Sequence, residues 1–388
     1  MSGPDRTARP YRVLLVSHYY PPHLGGIENV VRQEAVHLAA RGVDVTVLTS
    51  GERGSVRQED GVRVVRVAAW NGAERAGVPF PVLSPAVLAA ALRWARRADV
   101  VHLHDCLYLT SWTAGLAAFL TRTPHVLTQH VAMVEHPSAL VRGVQRAVYA
   151  VAGRALLRRA RRVLTLNASV AAFVGEYGAR AERRRHLPNG VDTALFRPAE
   201  GAEERLLARK RLGLPADRTL VLFAGRLVPK KGYDLLLAAH DGTDRYDLVF
   251  AGDGDAQALA GRPGVHHLGT LAPERLAEAY RACDVFALPS TAEGFPLTVQ
   301  EAMASGLPVV TTDDPGYAPY RLDRERVMLL PRDAAVLRGA LAALAADEPL
   351  RARMGRYSRD CATTAFGWEE HVSALLGHYQ DGPPVEPA

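Results

Sequence analysis

The sequence predicts two α/β domains, each built on a doubly wound parallel sheet, that face each other across a cleft. Three observations lead to this prediction. The chain has 388 residues, which is too long for a single hydrophobic core of ordinary size. Short β-branched runs alternate with amphipathic segments, which is typical of parallel sheets. The same plan occurs twice, before and after a turn-rich stretch at residues 187–200, LPNGVDTALFRPAE.

The first half begins with a short apolar strand followed by an amphipathic helix. Apolar residues recur at helical spacing from Ile27 to Leu38, and Gly42 is a helix stop signal. Four strands follow, of which GVRVVRVA alternates with period two and DVVHLHD and PHVLTQH are of the buried type. In order, the predicted elements are the strand YRVLLVSHY, the helix GGIENVVRQEAVHLAARG, and the strands VDVTVLTS, GVRVVRVA, DVVHLHD and PHVLTQH.

The second half repeats this alternation. Its predicted strands are RTLVLFAGR, YDLVFAGDG, VHHLG, DVFALPS and LPVVTTD, and the helices between them are GYDLLLAAH, APERLAEAYRAC and TVQEAMASG. The segment FGWEEHVSALLGHYQ is typical of a last amphipathic helix. We therefore assign residues 1–192 to an N-terminal domain and 193–366 to a C-terminal domain, and expect a helix at 367–381 to pack back on the first.

Composition and charge limit the classes of function. The three cysteines are isolated, no signal peptide precedes the first strand, and no apolar run approaches the ~18 residues of a membrane span, so we expect a cytoplasmic protein. Residues 1–195 carry 25 Lys and Arg against 14 Asp and Glu; the remainder carries 22 against 27. A basic half indicates an anionic partner (nucleic acid, membrane or substrate) or simply arginine-rich solvated helices. Residues 154–163, RALLRRARRV, fit a basic amphipathic helix near an anionic membrane or acceptor, or a solvated helix face.

Two glutamates eight residues apart form a candidate ligand-binding motif. In residues 293–302, EGFPLTVQEA, Glu293 lies in the loop after the strand DVFALPS, and Glu301 lies about one turn into the next helix. The backbone N–H groups of Gly294, Phe295 and Leu297 are free at the helix start, where Pro296 offers only its carbonyl, and such a start attracts phosphate. Two acids around a phosphate site suit one extended ligand with phosphate in the middle and hydroxyl groups at both ends, which describes a nucleotide-sugar.

Two cations after an earlier strand fit the same ligand. In FAGRLVPKKGYDLL, Arg226 directly follows a strand and Lys231 lies five residues on. Fixed cations stabilise the charge that a diphosphate gains as its bond to a sugar breaks. Surface residues of a βα loop are the alternative for either residue taken alone.

These motifs resemble a known family. The segments GRLVPKKG and EGFPLTVQEAMASGLPVV resemble the retaining GT-B glycosyltransferases of family 4, glycosyltransferase group 1. The segments PPHLGGIENVVRQEAVHLAARGVDVTVLT, LPNGVDTALFRP, AGDGDAQALA and APERLAEAYRACDVFALPS extend the resemblance over nearly the whole chain. It implies the GT-B fold, with two Rossmann-like domains, the first binding the acceptor and the second the donor. After VVTTDD this chain lacks the family's Gly-Gly-x-x-Glu segment and has PGYAPYRLDRERVMLL instead.

The resemblance also implies residue roles. Glu301 would bind the ribose hydroxyls and Glu293 the donor sugar. The remaining donor-binding residues would be Gly25, Gly26, Arg226, Lys231, Gly294, Phe295, Pro296 and Leu297, of which Arg226 and Lys231 hold the diphosphate. His130 falls where the family places a histidine near the transferred sugar, and His104 and Asp105 are weaker candidates. We therefore expect His130, Glu293, Arg226 and Lys231 to take part in catalysis.

The implied reaction needs no cofactor and no metal. The co-substrate would be a UDP- or GDP-linked sugar, and the acceptor a hydroxyl of a glycan, a lipid-linked molecule or a natural product. Transfer would proceed by front-face attack, with the leaving phosphate helping to accept the acceptor's proton. A peripheral contact with an anionic membrane, at the inner face, is an expected partner interaction; nucleic acid is not expected.

Other classes fit less well. A glycoside hydrolase also needs two carboxylates but no phosphate site. An oxidoreductase would want G-x-G-x-x-G after a strand, which neither HLGGIE nor GDGDAQALAG provides. Asp253 and Asp255 could hold Mg²⁺ on a diphosphate, although their position after LVFAG favours a turn. A basic nucleic-acid- or membrane-binding module without catalysis is the alternative from a different class.

Overall fold

A computed structural model describes residues 9–23, 26–70, 82–133, 139–240, 242, 245–291 and 294–380. Its contacts divide the chain into two compact units. Unit 1 comprises Met1–Leu187 together with His371–Ala388, and unit 2 comprises Pro188–Glu370.

Unit 1 is built on one mostly parallel sheet. The strand order is β3-β4-β2-β1-β6-β7-β8-β9, with β5 beside β4. β3 and β5 pair antiparallel with β4, and all other neighbours are parallel. The strands are β1 (Arg12–Val16), β2 (Asp44–Gly51), β3 (Ser55–Glu59), β4 (Val62–Trp70), β5 (Val82–Leu83), β6 (Val100–His104), β7 (His125–Gln129), β8 (Arg162–Thr165) and β9 (Arg184–His186).

Helices connect these strands, as parallel pairing requires. They are α1 (Gly26–Ala40), α2 (Ala86–Ala95), α3 (Leu109–Thr121), α4 (Ala139–Val148), α5 (Arg154–Arg159) and α6 (Ala168–Glu176), with a π-helical turn at Tyr149–Gly153 between α4 and α5. In this sheet β1 lies between β2 and β6. Strands β2 to β4 are added on one side of β1 and strands β6 to β9 on the other, so the strand order reverses at β1. The predicted strands of the first half are all present, and their parallel arrangement is confirmed.

The prediction of one basic helix over residues 154–163 is wrong. α5 ends at Arg159, and Arg162 begins β8, whose apolar residues pair with β7 in the buried sheet. Arg158 and Arg159 are exposed, whereas Arg161 donates a hydrogen bond to the Tyr379 carbonyl at 3.0 Å. The four arginines therefore do not form one helical surface, because burial of the strand outweighs helix continuation.

Membrane contact stays a prediction. Among the described helices, none combines the length and apolar character that a membrane crossing needs.

Unit 2 has a second, fully parallel sheet in the order β12-β11-β10-β13-β14-β15. Its central strands are apolar and buried on both faces, as expected of a parallel sheet covered by helices. The strands are β10 (Leu220–Ala224), β11 (Asp247–Ala251), β12 (Val265–Gly269), β13 (Val285–Leu288), β14 (Val309–Thr312) and β15 (Met328–Leu330). All five predicted strands of this half are confirmed; β15 is an additional edge strand.

The helices of unit 2 follow its strands. They are α7 (Ala202–Leu212), α8 (Tyr233–Ala239), α9 (Pro273–Ala282), α10 (Leu297–Ala304), α11 (Ala334–Ala346) and α12 (Glu348–Ala365); α13 (Trp368–Gln380) begins in unit 2 and continues into unit 1. The strand order reverses between β10 and β13. Open α/β sheets bind their ligands at the carboxyl ends of the strands, where the strand order reverses. We therefore expect a ligand site at this edge of the sheet.

Candidate functional site

In unit 2 the loops after β10 and β13 are joined to each other. The Thr291 N–H donates a hydrogen bond to the Lys230 carbonyl at 2.8 Å. Arg332 donates to both loops, to the Pro289 carbonyl at 3.0 Å and to the Pro229 carbonyl at 3.4 Å. The cationic loop and the loop that leads to α10 therefore form one backbone platform at the strand-order reversal.

A glycine fixes the position of Lys231 on this platform. Gly232 has φ +78°, and a Cβ added there would lie 2.2 Å from the Pro289 carbonyl oxygen, so only glycine fits. Lys231 immediately precedes it and is half-buried, while Arg226 and Lys230 are exposed. Of the two adjacent lysines, Lys231 is thus the one held against the platform.

The start of α10 offers its backbone to a ligand. Pro296 precedes the helix in an extended conformation, and within the described residues no side chain caps it and no acid lies in its first turn. Phe295 is buried, with its ring centroid 4.1 Å from that of Tyr320 and 5.4 Å from that of Phe366. The N–H groups of Val299 and Gln300 donate to the Pro296 carbonyl at 3.0 and 3.2 Å, so those of Leu297 and Thr298 are the ones positioned as anion donors.

Glu301 lies in the second half of α10 with one firm partner. Its Oε2 is 3.0 Å from the hydroxyl of Tyr280, which is also 3.0 Å from the Thr298 carbonyl. Burial raises the pKa of Glu301 to about 7, and the Tyr280 hydrogen bond partly opposes that rise. Near neutral pH this carboxylate is therefore half-ionised and able to accept further hydrogen bonds.

Asp253 and Asp255, considered above as an alternative Mg²⁺ site, make local turn contacts. Asp255 accepts a hydrogen bond from the Tyr233 hydroxyl at 2.9 Å and caps the 3₁₀ turn at Ala256–Leu259. Asp253 Oδ1 accepts the N–H of Gly254 at 2.8 Å. Both carboxylates have local roles, which favours the turn interpretation over a metal site.

The segment that departs from the family pattern packs against the site. After β14, a 3₁₀ helix spans Pro315–Tyr320, and its N-cap Asp314 accepts the N–H of Gly316 at 2.7 Å. Tyr317 and Tyr320 pack on Phe295. Aromatic side chains of this segment thus pack on the residue that leads into α10.

The remaining predicted residues divide between unit 1 and the undescribed positions. Glu293 and Gly25 lie outside the described residues, so their roles stay predictions. Gly26 begins α1 in unit 1, with no atom within 4 Å of an added Cβ. Unit 2 therefore brings together Lys231, the start of α10 and Glu301, with Arg226 on the same loop as Lys231.

His130 follows β7 in unit 1, beside the end of β6. Its Nε2 is 3.0 Å from Nδ1 of His104, and its backbone N–H donates to Asp105 Oδ1 at 2.9 Å. Burial lowers the pKa of His130 to about 3, so the ring is neutral at physiological pH. The structure thus places His130 and the two weaker candidates in direct contact.

Sequence reasoning missed the residues that support the site. Tyr280 comes from α9, Tyr320 from the segment after β14, and Arg332 from the loop after β15. No local motif marks them, because each reaches the site only through packing of the folded unit.

Two doubly wound sheets with a phosphate-ready helix start at a strand-order reversal define a nucleotide-binding α/β protein. Two family models match the chain: Glycosyltransferase Family 4 over residues 24–195 and Glycosyl transferases group 1 over residues 204–360. A D-inositol 3-phosphate glycosyltransferase of Acidothermus cellulolyticus is 34% identical, covering 96% of this chain and 90% of that protein. One of Xylanimonas cellulosilytica is also 34% identical, with 94% and 93% covered.

The chain therefore belongs to glycosyltransferase family 4, group 1. It is a glycosyltransferase with a nucleotide-sugar donor, so the interpretation as an enzyme is confirmed. Solved structures agree on the GT-B fold. Anabaena HepE in complex with UDP has TM-score 0.75 and 19% identity, covering 94% of this chain and 98% of that one. WaaG, a glycosyltransferase involved in lipopolysaccharide biosynthesis, has TM-score 0.68 and 21% identity, with 95% and 100% covered.

Proposed function

We propose that this protein transfers a sugar from a UDP- or GDP-linked donor to an acceptor hydroxyl, with retention of configuration and without a metal ion on the diphosphate. One observation carries the proposal: Lys231 stands on a loop that is hydrogen-bonded to the loop leading into α10, and Glu301 follows on that helix. This arrangement places a cation, then backbone N–H donors and then a carboxylate along one edge of unit 2.

Each part of the donor has a suitable partner on this edge. The diphosphate is held by Lys231, by Arg226 and by the N–H groups at the start of α10, because anions are favoured at uncapped helix starts. The ribose hydroxyls donate to the carboxylate of Glu301. Glu293 is assigned to the hydroxyls of the donor sugar, and His130 of unit 1 to the neighbourhood of the transferred sugar.

The chemistry follows from positioning and charge. The bond between the sugar's anomeric carbon and the phosphate oxygen breaks, and the acceptor oxygen bonds to the same face of that carbon. The acceptor's proton passes to an oxygen of the leaving phosphate. Negative charge grows on the diphosphate as it leaves, so Lys231 and Arg226 stabilise the transition state more than the ground state.

For the acceptor we propose a phosphorylated polyol as the first class to test. Two relatives that match nearly the whole chain are D-inositol 3-phosphate glycosyltransferases. The excess of Lys and Arg in residues 1–195, 25 against 14 Asp and Glu, suits an anionic acceptor. Lipid-linked, glycan and natural-product hydroxyls are the competing acceptors in the same assay.

Metal independence is the first testable consequence. Sugar transfer is assayed with UDP- and GDP-sugars and D-inositol 3-phosphate or a competing acceptor, with and without excess EDTA. We expect the rate to change by no more than about twofold, because fixed cations replace the metal's role on the diphosphate. Complete loss that Mg²⁺ or Mn²⁺ restores would bring Asp253 and Asp255 into the site and contradict the proposal; no turnover of any nucleotide-sugar would contradict the function itself.

A further inference from the structure

A group of buried polar side chains in unit 1 adjoins His130 and has no role assigned in the proposed donor site. Glu34 of α1 and His102 and His104 of β6, here called the His–Glu cluster, are at most 1% exposed. The two histidines are two residues apart on a strand and so share one face of the sheet. Glu34 Oε2 is 3.7 Å from His102 Nδ1 and 3.4 Å from His104 Nε2. All three of these atoms lie within 4.8 Å of one another.

The outward-facing atoms of the cluster have partners. His102 Nε2 is 2.7 Å from the Thr128 hydroxyl, and His104 Nδ1 is 3.0 Å from His130 Nε2. Glu34 Oε1 is 3.0 Å from His371 Nε2, on the part of α13 that belongs to unit 1. Metal-binding histidines and carboxylates characteristically have such outer partners, which fix the tautomer and orientation of the ligand.

Two of the three inward-facing atoms are left without partners among the described residues; the third, His102 Nδ1, has the Tyr379 hydroxyl at 2.8 Å. Glu34 Oε2 and His104 Nε2 have no hydrogen-bond partner within the described residues, although they face each other. If His104 donates its Nδ1 proton to His130, its Nε2 lone pair points at the carboxylate. In that tautomer two lone pairs face each other in a buried site, an arrangement that a cation between them stabilises.

The ion-pair partners of Glu34 point in the same direction. Among the described residues, every ion-pair partner of Glu34 is a histidine rather than an arginine or lysine. A buried carboxylate without a permanently charged partner is costly, so a metal cation at this point would compensate the charge of Glu34.

We propose that a divalent transition-metal ion, Zn²⁺ in the first instance, occupies the His–Glu cluster and is bound by Glu34 Oε2, His102 Nδ1 and His104 Nε2. Two imidazoles and one carboxylate suit Zn²⁺, whereas Mg²⁺ and Ca²⁺ prefer oxygen ligands. Tetrahedral bonds of about 2.0–2.1 Å place neighbouring ligand atoms roughly 3.4 Å apart. Two of the three separations, 3.4 and 3.7 Å, are already close to that value.

The fourth coordination position of the ion lies next to the side-chain hydroxyl of Tyr379. The Tyr379 hydroxyl is 2.8 Å from His102 Nδ1, so it adjoins the same point and is the nearest candidate for the remaining ligand. Since Tyr379 and His371 are on α13, the ion would tie this last helix to α1 and β6. The site is closed to solvent, which makes the ion a structural one that enters during folding. Brief exposure to EDTA then leaves it in place, so the transfer assay and this proposal are tested separately.

Metal content tests the proposal directly. The full chain is produced with added ZnSO₄, purified without a metal-affinity tag, dialysed and analysed by plasma mass spectrometry. We expect about one Zn²⁺ per chain in the wild type and at least a tenfold loss in Glu34→Gln and in His104→Gln. The matched control is His125→Gln, since His125 is also buried in this sheet but bonds the Leu156 carbonyl at 3.0 Å instead. This control should keep the wild-type zinc content.

Two outcomes would overturn the proposal. Wild-type protein with less than about a tenth of a zinc per chain would mean that no metal ion occupies the His–Glu cluster. Equal zinc in the wild type and both cluster variants would place the ion elsewhere. Should the variants fail to fold, X-ray absorption of the zinc-loaded wild type decides. Imidazole and oxygen ligands at about 2.0–2.2 Å support the cluster, and a sulfur ligand excludes it.

Discussion

Lys231→Ala is expected to reduce kcat by about a hundredfold or more, with a smaller effect on donor binding. This is the scale for removing one fixed donor that stabilises charge in a transition state. Lys231 is half-buried on the backbone platform and immediately precedes Gly232, whose φ of +78° and contact with Pro289 fix the loop. A charge that meets the diphosphate most strongly as it leaves should affect turnover more than affinity. Steady-state kinetics with saturating donor measure this difference.

Lys230→Ala is the matched control and should be nearly silent. Lys230 is exposed, and its contribution to the loop is a backbone carbonyl that accepts the Thr291 N–H. Alanine keeps that carbonyl, and an isolated exposed charge contributes little. Both variants must melt near the wild type for the comparison to count. Equal losses in the two variants would mean a diffuse positive patch, and a loss in Lys230→Ala alone would shift the family register by one residue.

Glu301→Ala should weaken the binding of the free nucleoside diphosphate itself by about ten- to a hundredfold. Removing a charged hydrogen-bond partner costs roughly 1.5–3 kcal/mol, and the ribose hydroxyls lose their acceptor. Isothermal titration with UDP and GDP at pH 8 measures the loss. Unchanged affinity in a folded variant would refute the assignment of the ribose to this residue.

The pH dependence of binding gives an independent check on Glu301. Its pKa is raised to about 7 by burial, so the carboxylate is largely protonated at pH 6 and largely ionised at pH 8. Hydroxyl donors bind the ionised form better, hence affinity should rise over this interval and binding should release a proton. In Glu301→Gln only the pH dependence of the ligand's own phosphate should remain. A wild type with the same pH profile as Glu301→Gln would contradict this role.

The central strands of both sheets can be predicted from the sequence, because buried parallel strands have a recognisable local pattern. β10, β11 and β13 are short apolar runs bounded by turn residues, and each is found in place. The exposed edge strand β3 lacks such a signal and was not predicted. The helices α2 and α3 were not assigned either: neither has a side-chain N-cap to mark its start.

The supporting contacts could not be predicted, because they depend on packing between distant segments. Glu301 meets Tyr280 only because α9 and α10 pack in one unit, and nothing in the sequence YRAC indicates a partner. The pair of Glu34 and His371 is separated by 337 positions. The helix predicted over residues 154–163 failed for a related reason, since burial in the sheet at β8 outweighed the helical pattern.

The central claim is that a nucleoside diphosphate binds unit 2 at the carboxyl ends of β10 and β13. A crystal structure of the protein with UDP or GDP, whichever binds more tightly, tests this most directly. We predict diphosphate oxygens at about 2.7–3.2 Å from Lys231 Nζ and from backbone N–H groups at the start of α10, and ribose hydroxyls at that distance from Glu301. A nucleotide bound through a metal ion at Asp253 and Asp255, or bound wholly within unit 1, would contradict the account.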